Sequence, residues 1–322
     1  MNKKFIESFN NFTYKRIVLL FVVFAIINII ANLPSFNFCV DIISHYKWQY
    51  FCLSFCFIFG FIYFSFFNKK SIIFLIISFI ICLINYSDIN KFYAKTVSNN
   101  DTGIKIGLFN VLTENVNYDL LLKEIEQNNP DIVILQEVDW EWLEHIEKIK
   151  SEYPYFVEFP RTDNFGIALY SKLKFENSEI LSWTQHQLPV IKIRSIYNNS
   201  PFELYAIHTL PPVGKKYITI RNEMLNKIQE IVTTTKTNLI LSGDWNTTIY
   251  SNAYKQYIAK SGMIDVQSSK GLHTGSWATY YIPFMRIPLE HIVVNKEIKI
   301  NSCYLGNNFK SDHLPLYAIL EF

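Results

Sequence analysis

Several things are missing from this chain, and each absence narrows what it can be. Cysteine is scarce: 322 residues hold five, at positions 39, 52, 56, 82 and 303. Only Cys303 lies beyond the first ninety residues, so the C-terminal part has no disulfide framework, and no Cys/His spacing matches a zinc site. Charge of one sign is missing too, because the net charge is +2. That balance hides a split. Nine Lys/Arg face three acids before Ser98, whereas 21 bases face 25 acids from there on. A slightly acidic C-terminal part has no electrostatic footprint for tight, non-specific nucleic-acid binding. Internal repeats and low-complexity tracts are absent as well.

Apolar residues are abundant, at 50% with 16% aromatic, and the excess sits at the N-terminus. Three runs predict membrane-crossing helices over about 17–33, 48–67 and 71–89. No small-x-small cleavage site follows the first, which therefore reads as an uncleaved helix. Trp48, Tyr50, Tyr63 and Tyr86 stand near run ends, as interfacial aromatics do. Lys3, Lys4, Lys15 and Arg16 precede the first run, and Lys69 and Lys70 separate the second from the third. Basic flanks stay cytoplasmic, so three crossings place everything after Asn90 outside, although Lys47, Lys91 and Lys95 vote the other way. The expected organisation is a transmembrane region over 1–90, a polar linker over 91–102 and a catalytic domain over 103–322. A bacterial inner-membrane protein with an extracytoplasmic domain is expected.

Beyond the linker, short apolar runs alternate with helical patterns. Strands are predicted at 104–111, 131–137, 166–170, 190–196, 202–207, 239–244, 289–294, 298–304 and 314–322, with helices near 118–128, 140–150, 218–234 and 254–260. Tyr153 to Phe159 reads as irregular. Asn117 is a candidate helix cap. The mixture fits an α/β (α+β) arrangement in which two packed sheets are flanked by helices. Polar residues recur at strand ends: Asn110, Glu137, His208, Asp244, Asn246, Asp312 and His313, with Glu290 inside its strand. Asp244 and Asn246 belong to Gly243-Asp244-Trp245-Asn246, where alternation along an extended chain points both side chains the same way. A phosphate-binding strand end and an ordinary turn explain that stretch equally well on its own.

Seven segments taken together resemble the endonuclease/exonuclease/phosphatase superfamily, which has the DNase I-like fold. They are Phe109-Asn110-Val111, Pro130 to Val138 (PDIVILQEV), Gly166 to Ser171 (GIALYS), the His208 segment, Gly243 to Asn246, Leu289-Glu290-His291-Ile292 and Ser311 to Pro315 (SDHLP). The His-x-x-Pro-Pro turn and the apolar N-terminus are most similar to a membrane-anchored bacterial branch. The resemblance implies a phosphoesterase that uses Mg²⁺, or Mn²⁺, and an activated water on phosphodiester or phosphomonoester bonds. It implies Glu137, Asn110 and Asp312 at the metal, and Asp244 orienting or deprotonating the water. Asn246 and His208 would contact the phosphate, with His208 also placed to protonate the leaving oxygen, and His313 would assist proton transfer. Asn110 and Arg161 are further candidates for substrate contact. Two departures stand out. The family usually has Asp where this chain has Glu290, the expected partner of His313, and Leu112 stands where some nucleases carry an acid. His45 is expected in a loop between spans, and His145, His186, His273 and His291 are read as structural or exposed. The partners implied are a phosphate-ester substrate and the lipid bilayer, with the oligomeric state open. A different reading keeps the fold without turnover, as a membrane-tethered binding protein.

Overall fold

A computed structural model describes residues 3–33, 37–90, 102–257, 261–270 and 275–322. Most of the expected linker, His273 and the end of the helix expected over 254–260 lie outside these residues. The chain separates into two compact units, Met1–Lys91 and Phe92–Phe322.

The first unit is helical: α1 (Lys3–Ala31), α2 (Phe38–Ser44), α3 (Lys47–Ser65) and α4 (Ser71–Asn90). Three of these are long and apolar enough to cross a membrane, over Asn10–Ala31, Lys47–Ser65 and Ser71–Asn90. Phe21, Phe24 and Phe61 pack at the centre, while Leu19, Ile29 and Phe59 are each more than 60% exposed. A unit that points large apolar side chains outward needs an apolar surround. Its polar side chains turn inward instead. Asn85 Nδ2 donates to Asn28 Oδ1 at 2.8 Å, and Lys47 Nζ reaches Asn32 Oδ1 at 2.6 Å and Asp88 Oδ2 at 3.4 Å. Asp88, near the end of the run expected at 71–89, is held against Lys47. His45 is not in an open loop. It ends the unforeseen helix α2, is buried and lies 3.5 Å from Asp41.

The second unit is a two-sheet sandwich. One sheet has the order β11-β12-β1-β2-β4-β3 and the other β5-β6-β7-β8-β10-β9. Their ranges are β1 (Ile104–Asn110), β2 (Ile132–Gln136), β3 (Tyr155–Phe159), β4 (Ile167–Ser171), β5 (Phe175–Ser182) and β6 (Pro189–Tyr197) in the first half. The second half holds β7 (Ser200–Ile207), β8 (Asn238–Asp244), β9 (Ile264–Asp265), β10 (Glu290–Val294), β11 (Lys299–Leu305) and β12 (Leu316–Glu321). Helices α5 (Tyr118–Asn128), α6 (Trp140–His145), α7 (Lys215–Thr234) and α8 (Asn252–Tyr257) complete it. The expected two-sheet fold with flanking helices is what the chain adopts.

Each sheet contains one parallel pair, and each pair is a βαβ unit. β1 and β2 are joined through α5, and β7 and β8 through α7. A parallel pair requires such a crossover and is buried on both faces. In β2, Ile132 and Ile134 enter the core between the sheets, while Val133 and Leu135 pack outward in the cluster that includes Leu121, Ile125 and Trp142. On α7, Ile218, Met224, Leu225 and Ile228 are buried. The C-terminal ends of all four parallel strands therefore open onto one rim of the sandwich.

The remaining differences from expectation are local. Tyr155–Phe159 is an edge strand on β4 rather than irregular chain. β5 is an edge strand whose residues are mostly exposed, so it lacks the apolar alternation that marks a strand. The helix expected over 140–150 is α6 followed by a 3₁₀ turn at Glu147–Ser151. Asn117 precedes α5, but its side chain bonds Asn115 instead of capping. The β6–β7 turn has Asn198 and Asn199 at φ 48° and 65°. Two left-handed residues in sequence are what a tight two-residue hairpin needs.

Candidate active site

Asn110 ends β1, Glu137 follows β2, His208 follows β7 and Asp244 ends β8. Glu290 begins β10, directly opposite Asp244 in antiparallel register. His313 lies in the loop before β12, where Ser311 Oγ donates to Asn110 O at 2.7 Å and accepts from His313 N at 3.1 Å. Glu137, His208, Asp244, Asn246, Asp312 and His313 all line one cleft of about 430 Å³. Asn110 and Glu290 stand behind it, almost wholly buried.

The bonds show what each side chain is free to do. Asn110 Nδ2 donates to Glu137 Oε1 at 2.8 Å and to Asp244 Oδ2 at 3.2 Å, so its amide holds two carboxylates together. Its Oδ1 accepts from Leu112 N at 3.1 Å. Asp244 Oδ1 accepts from Asn246 N at 2.8 Å. The expectation that strand alternation aims Asp244 and Asn246 together is corrected here. β8 stops at Asp244, Asn246 is left-handed at φ 47°, and the two are joined by a turn that closes on the carboxylate. Asn246 Nδ2 donates to Thr209 O at 2.8 Å and lies 3.5 Å from His208 Nε2. His313 Nδ1 bonds Glu290 Oε1, which turns Nε2 toward Asp244 Oδ2, 3.7 Å away. The longer acid at 290 thus meets the imidazole.

Backbone strain is present here. Leu112, Glu137 and Asn246 have φ of 59°, 66° and 47°, a region that costs a non-glycine residue about 1–3 kcal/mol. Gly243, at φ 154°, has no alternative. A Cβ there would stand 1.7 Å from Ile207 O.

Electrostatics follow burial. Burial pushes Asp244 up to about 7, and Glu290 and Glu137 add to the rise while His313 opposes it. Burial also raises Glu137, against the Asn110 bond. For His208, burial and the neighbouring His313 bring it down to about 3, which makes it a neutral imidazole near pH 7. Burial pulls His313 down as well, but Glu290, with Asp244 and Asp312, outweighs it and lifts His313 to about 10. One imidazole is therefore held neutral and the other cationic.

Carboxylate oxygens are the donors a hard divalent cation prefers. Glu137 Oε2 and Asp312 Oδ1 are both buried without a hydrogen-bond partner, so these residues fit such an ion. Asp244, Glu290 and His313 also bring ligand atoms within 4.8 Å of one another. A cation there would compete with the Glu290–His313 bond, which favours the Glu137 side. Asn110 sits behind Glu137 as its hydrogen-bond donor.

Sequence reasoning did not single out everything at the site. Arg161 does not line the cleft. Its guanidinium forks onto Asp163 at 2.8 and 2.7 Å and donates to Gln187 O, which shapes the loop that brings Asp163, Asn164 and Phe165 to the cleft. Trp277 also lines the cleft and donates through Nε1 to Asp312 Oδ2 at 3.0 Å. Gln136 bridges the sheets. It shares the inward parity of Ile132 and Ile134, its Nε2 donates to Ile207 O at 2.9 Å, and its Oε1 accepts from Asp244 N at 2.8 Å. That parity was the available signal. Gln136→Met should leave two buried backbone groups unpaired and cost about 3 kcal/mol. A urea-unfolding midpoint equal to that of the parent would refute the bridge. His291, read as structural or exposed, is fully buried and bonds Asp265 and Thr247 O.

Residues 107–313 match the family described as Endonuclease/Exonuclease/phosphatase. Solved structures share the fold. A zebrafish (D. rerio) TDP2 complexed with single-strand DNA product is 18% identical, with TM-score 0.57 over 69% of this chain and 100% of that one. A family protein from Leptotrichia buccalis is 22% identical, with TM-score 0.54 over 68% of this chain and 100% of that one. The human nocturnin catalytic domain with bound sulfate is 22% identical, with TM-score 0.55 over 68% of this chain and 94% of that one. No curated protein matches the sequence.

Proposed function

The chain belongs to the endonuclease/exonuclease/phosphatase family, whose members are hydrolases of phosphate esters, and from that premise we propose a membrane-anchored, Mg²⁺-dependent phosphoesterase with its catalytic domain outside the cytoplasm. The observation that carries this reading is the cleft itself. An unpaired buried carboxylate oxygen on Glu137, the buried carboxylate of Asp244 and two imidazoles of opposite protonation face one space.

Glu137 and Asp312 would hold the cation, with Asn110 fixing Glu137. Bound there, the cation supplies Lewis-acid polarisation of a phosphoryl oxygen. Asp244 accepts a proton from the attacking water, the role for which a carboxylate raised toward neutrality is suited. Its Oδ1 is already fixed by Asn246 N, which leaves Oδ2 toward the cleft. His313, cationic through Glu290, donates from Nε2 to the phosphate as the ester P–O bond breaks, and its proton passes to the leaving oxygen. Asn246 and His208 bind phosphoryl oxygens on the other wall. The TDP2 structure holds a single-strand DNA product and the nocturnin structure a sulfate, and both accord with an anionic ester in this fold. The spans α1, α3 and α4, with the basic residues between α3 and α4, support the anchored topology. Against the non-catalytic alternative stands the Glu290–His313 contact, since the substitution that motivated it leaves the pair intact.

Full-length protein in detergent should hydrolyse bis(4-nitrophenyl) phosphate or 4-nitrophenyl phosphate with Mg²⁺ or Mn²⁺ and lose that activity in EDTA. Turnover of both esters no higher than that of Glu137→Gln would overturn the reading. A periplasmic-only reporter fused after Asn90 should be active.

A further inference from the structure

Among the described residues of the catalytic unit, exposed large apolar side chains stand consecutively in sequence at one place. Tyr280, Tyr281 and Ile282 are 69%, 49% and 66% exposed, and Met285 is 42% exposed. These residues form the tip of a loop that is rigid at its base. Trp277 bridges both Ile287 and His313, Thr279 N donates to Asp312 O at 2.9 Å, and Thr279 Oγ1 donates to Ser311 O at 2.8 Å. Arg286 closes the tip by donating to Tyr281 O and Thr279 O, both at 3.0 Å. The apolar tip is thus continuous with Trp277 and hydrogen-bonded through Thr279 to the loop that carries Asp312 and His313.

We propose that this tip docks into the headgroup region of a lipid bilayer, so that the cleft acts on phosphate esters presented at the membrane surface. The proposal rests on the phosphoesterase and membrane-anchor reading above and names the substrate class for that site. Three observations select a bilayer over other occupants. First, the tip combines tyrosines with Ile, Phe and Met, the amphipathic and apolar set that partitions to the interface. Second, no acid occurs from Gly275 to Leu289, while Arg286 is present, so the segment itself carries no negative charge. Third, Thr102 is twelve residues beyond Asn90, the end of an apolar span, and a chain of that length reaches about 40 Å at most. The domain is therefore tethered to those helices by a chain of bounded length. Because the tip is joined through Thr279 and Trp277 to the cleft wall, its insertion sets the cleft near headgroup phosphates.

Two measurements on full-length protein in phosphatidylcholine vesicles test this. The first does not depend on activity. Ile282→Trp adds an indole whose emission, taken against the parent, should be quenched by brominated acyl chains and shielded from aqueous iodide. Quenching by iodide with no effect of bromolipid would overturn the proposal, as would protection from both, which would mean that protein covers the tip. The second compares phosphatidylglycerol in vesicles with soluble bis(4-nitrophenyl) phosphate. Tyr280→Ser/Ile282→Ser should lose roughly tenfold on the lipid alone. Equal losses, or none, on the two esters would also overturn it. If the parent cleaves neither ester, the phosphoesterase reading fails while the quenching result still decides the docking.

Discussion

Asp244→Asn should lower kcat on a phosphate ester by about a thousandfold with little change in KM, the scale expected for removing a positioned general base. The geometry makes this variant informative. An asparagine can keep the oxygen that accepts from Asn246 N at 2.8 Å, so the turn that presents Asn246 need not collapse. It replaces Oδ2, the oxygen able to take a proton from water, which also accepts from Asn110 Nδ2 at 3.2 Å and faces His313 Nε2 at 3.7 Å. Stability supplies the control, with its sign fixed by the buried carboxyl. Asp244 titrates near 3.8 in an unfolded chain and at about 7 in the fold, chiefly because it is buried. The stability it contributes is therefore present below 3.8 and is lost as pH rises toward 7. Above that, the fold carries a buried anion that asparagine does not have. Asp244→Asn should accordingly unfold, without added metal at pH 8, no earlier than the parent. A variant that is both inactive and less stable would make Asp244 a structural residue. One that keeps a tenth or more of the parent kcat would remove it from proton transfer.

How much of this was readable beforehand depends on where each residue sits. Strands buried on both faces announce themselves: Ile132 to Gln136 is one apolar run, and the two βαβ units follow from such runs plus helical periodicity. Edge strands do not. β5 exposes most of its side chains, and its Glu and Ser residues look like loop. Site residues at strand ends were legible because carboxylates, amides and imidazoles stand out against apolar neighbours, and the cleft collects Glu137, His208, Asp244, Asn246, Asp312 and His313. Residues acting through geometry were hidden. Gln136 looks like the polar end of a strand until the second sheet supplies Ile207 O and Asp244 N. Arg161 looked available because its partner, Asp163, is only two residues away, and a local fork leaves no signature in spacing. The left-handed backbone at Glu137 and Leu112 was equally invisible, since neither residue type prefers it.

Glu290 yields the second large effect, because it decides the charge on His313. Burial alone would hold His313 below the ordinary imidazole range, and Glu290 is the foremost group reversing this and lifting it to about 10. Glu290→Gln preserves an acceptor for Nδ1 and removes the charge. Activity that needs the imidazolium should then fall about a hundredfold at pH 8, within the range for losing an acid catalyst or phosphate donor. The alkaline limb of the kcat profile should move down from near 10 toward the ordinary imidazole range. In stability terms, the His313 contribution is complete below about 6.5 and is lost progressively as pH rises from there through about 10. An unmoved alkaline limb in Glu290→Gln would mean that another group carries the proton. Glu290→Asp then asks about length. In this register Glu290 lies opposite Asp244, and its longer side chain already reaches His313. A shorter acid withdraws the carboxylate by roughly 1 Å, a displacement that can cost on the order of a hundredfold. Glu290→Asp should therefore be slower than the parent while keeping its alkaline limb. If it is instead faster, the loop carrying His313 can follow the shorter acid, and the glutamate in this chain holds the imidazole off its best position.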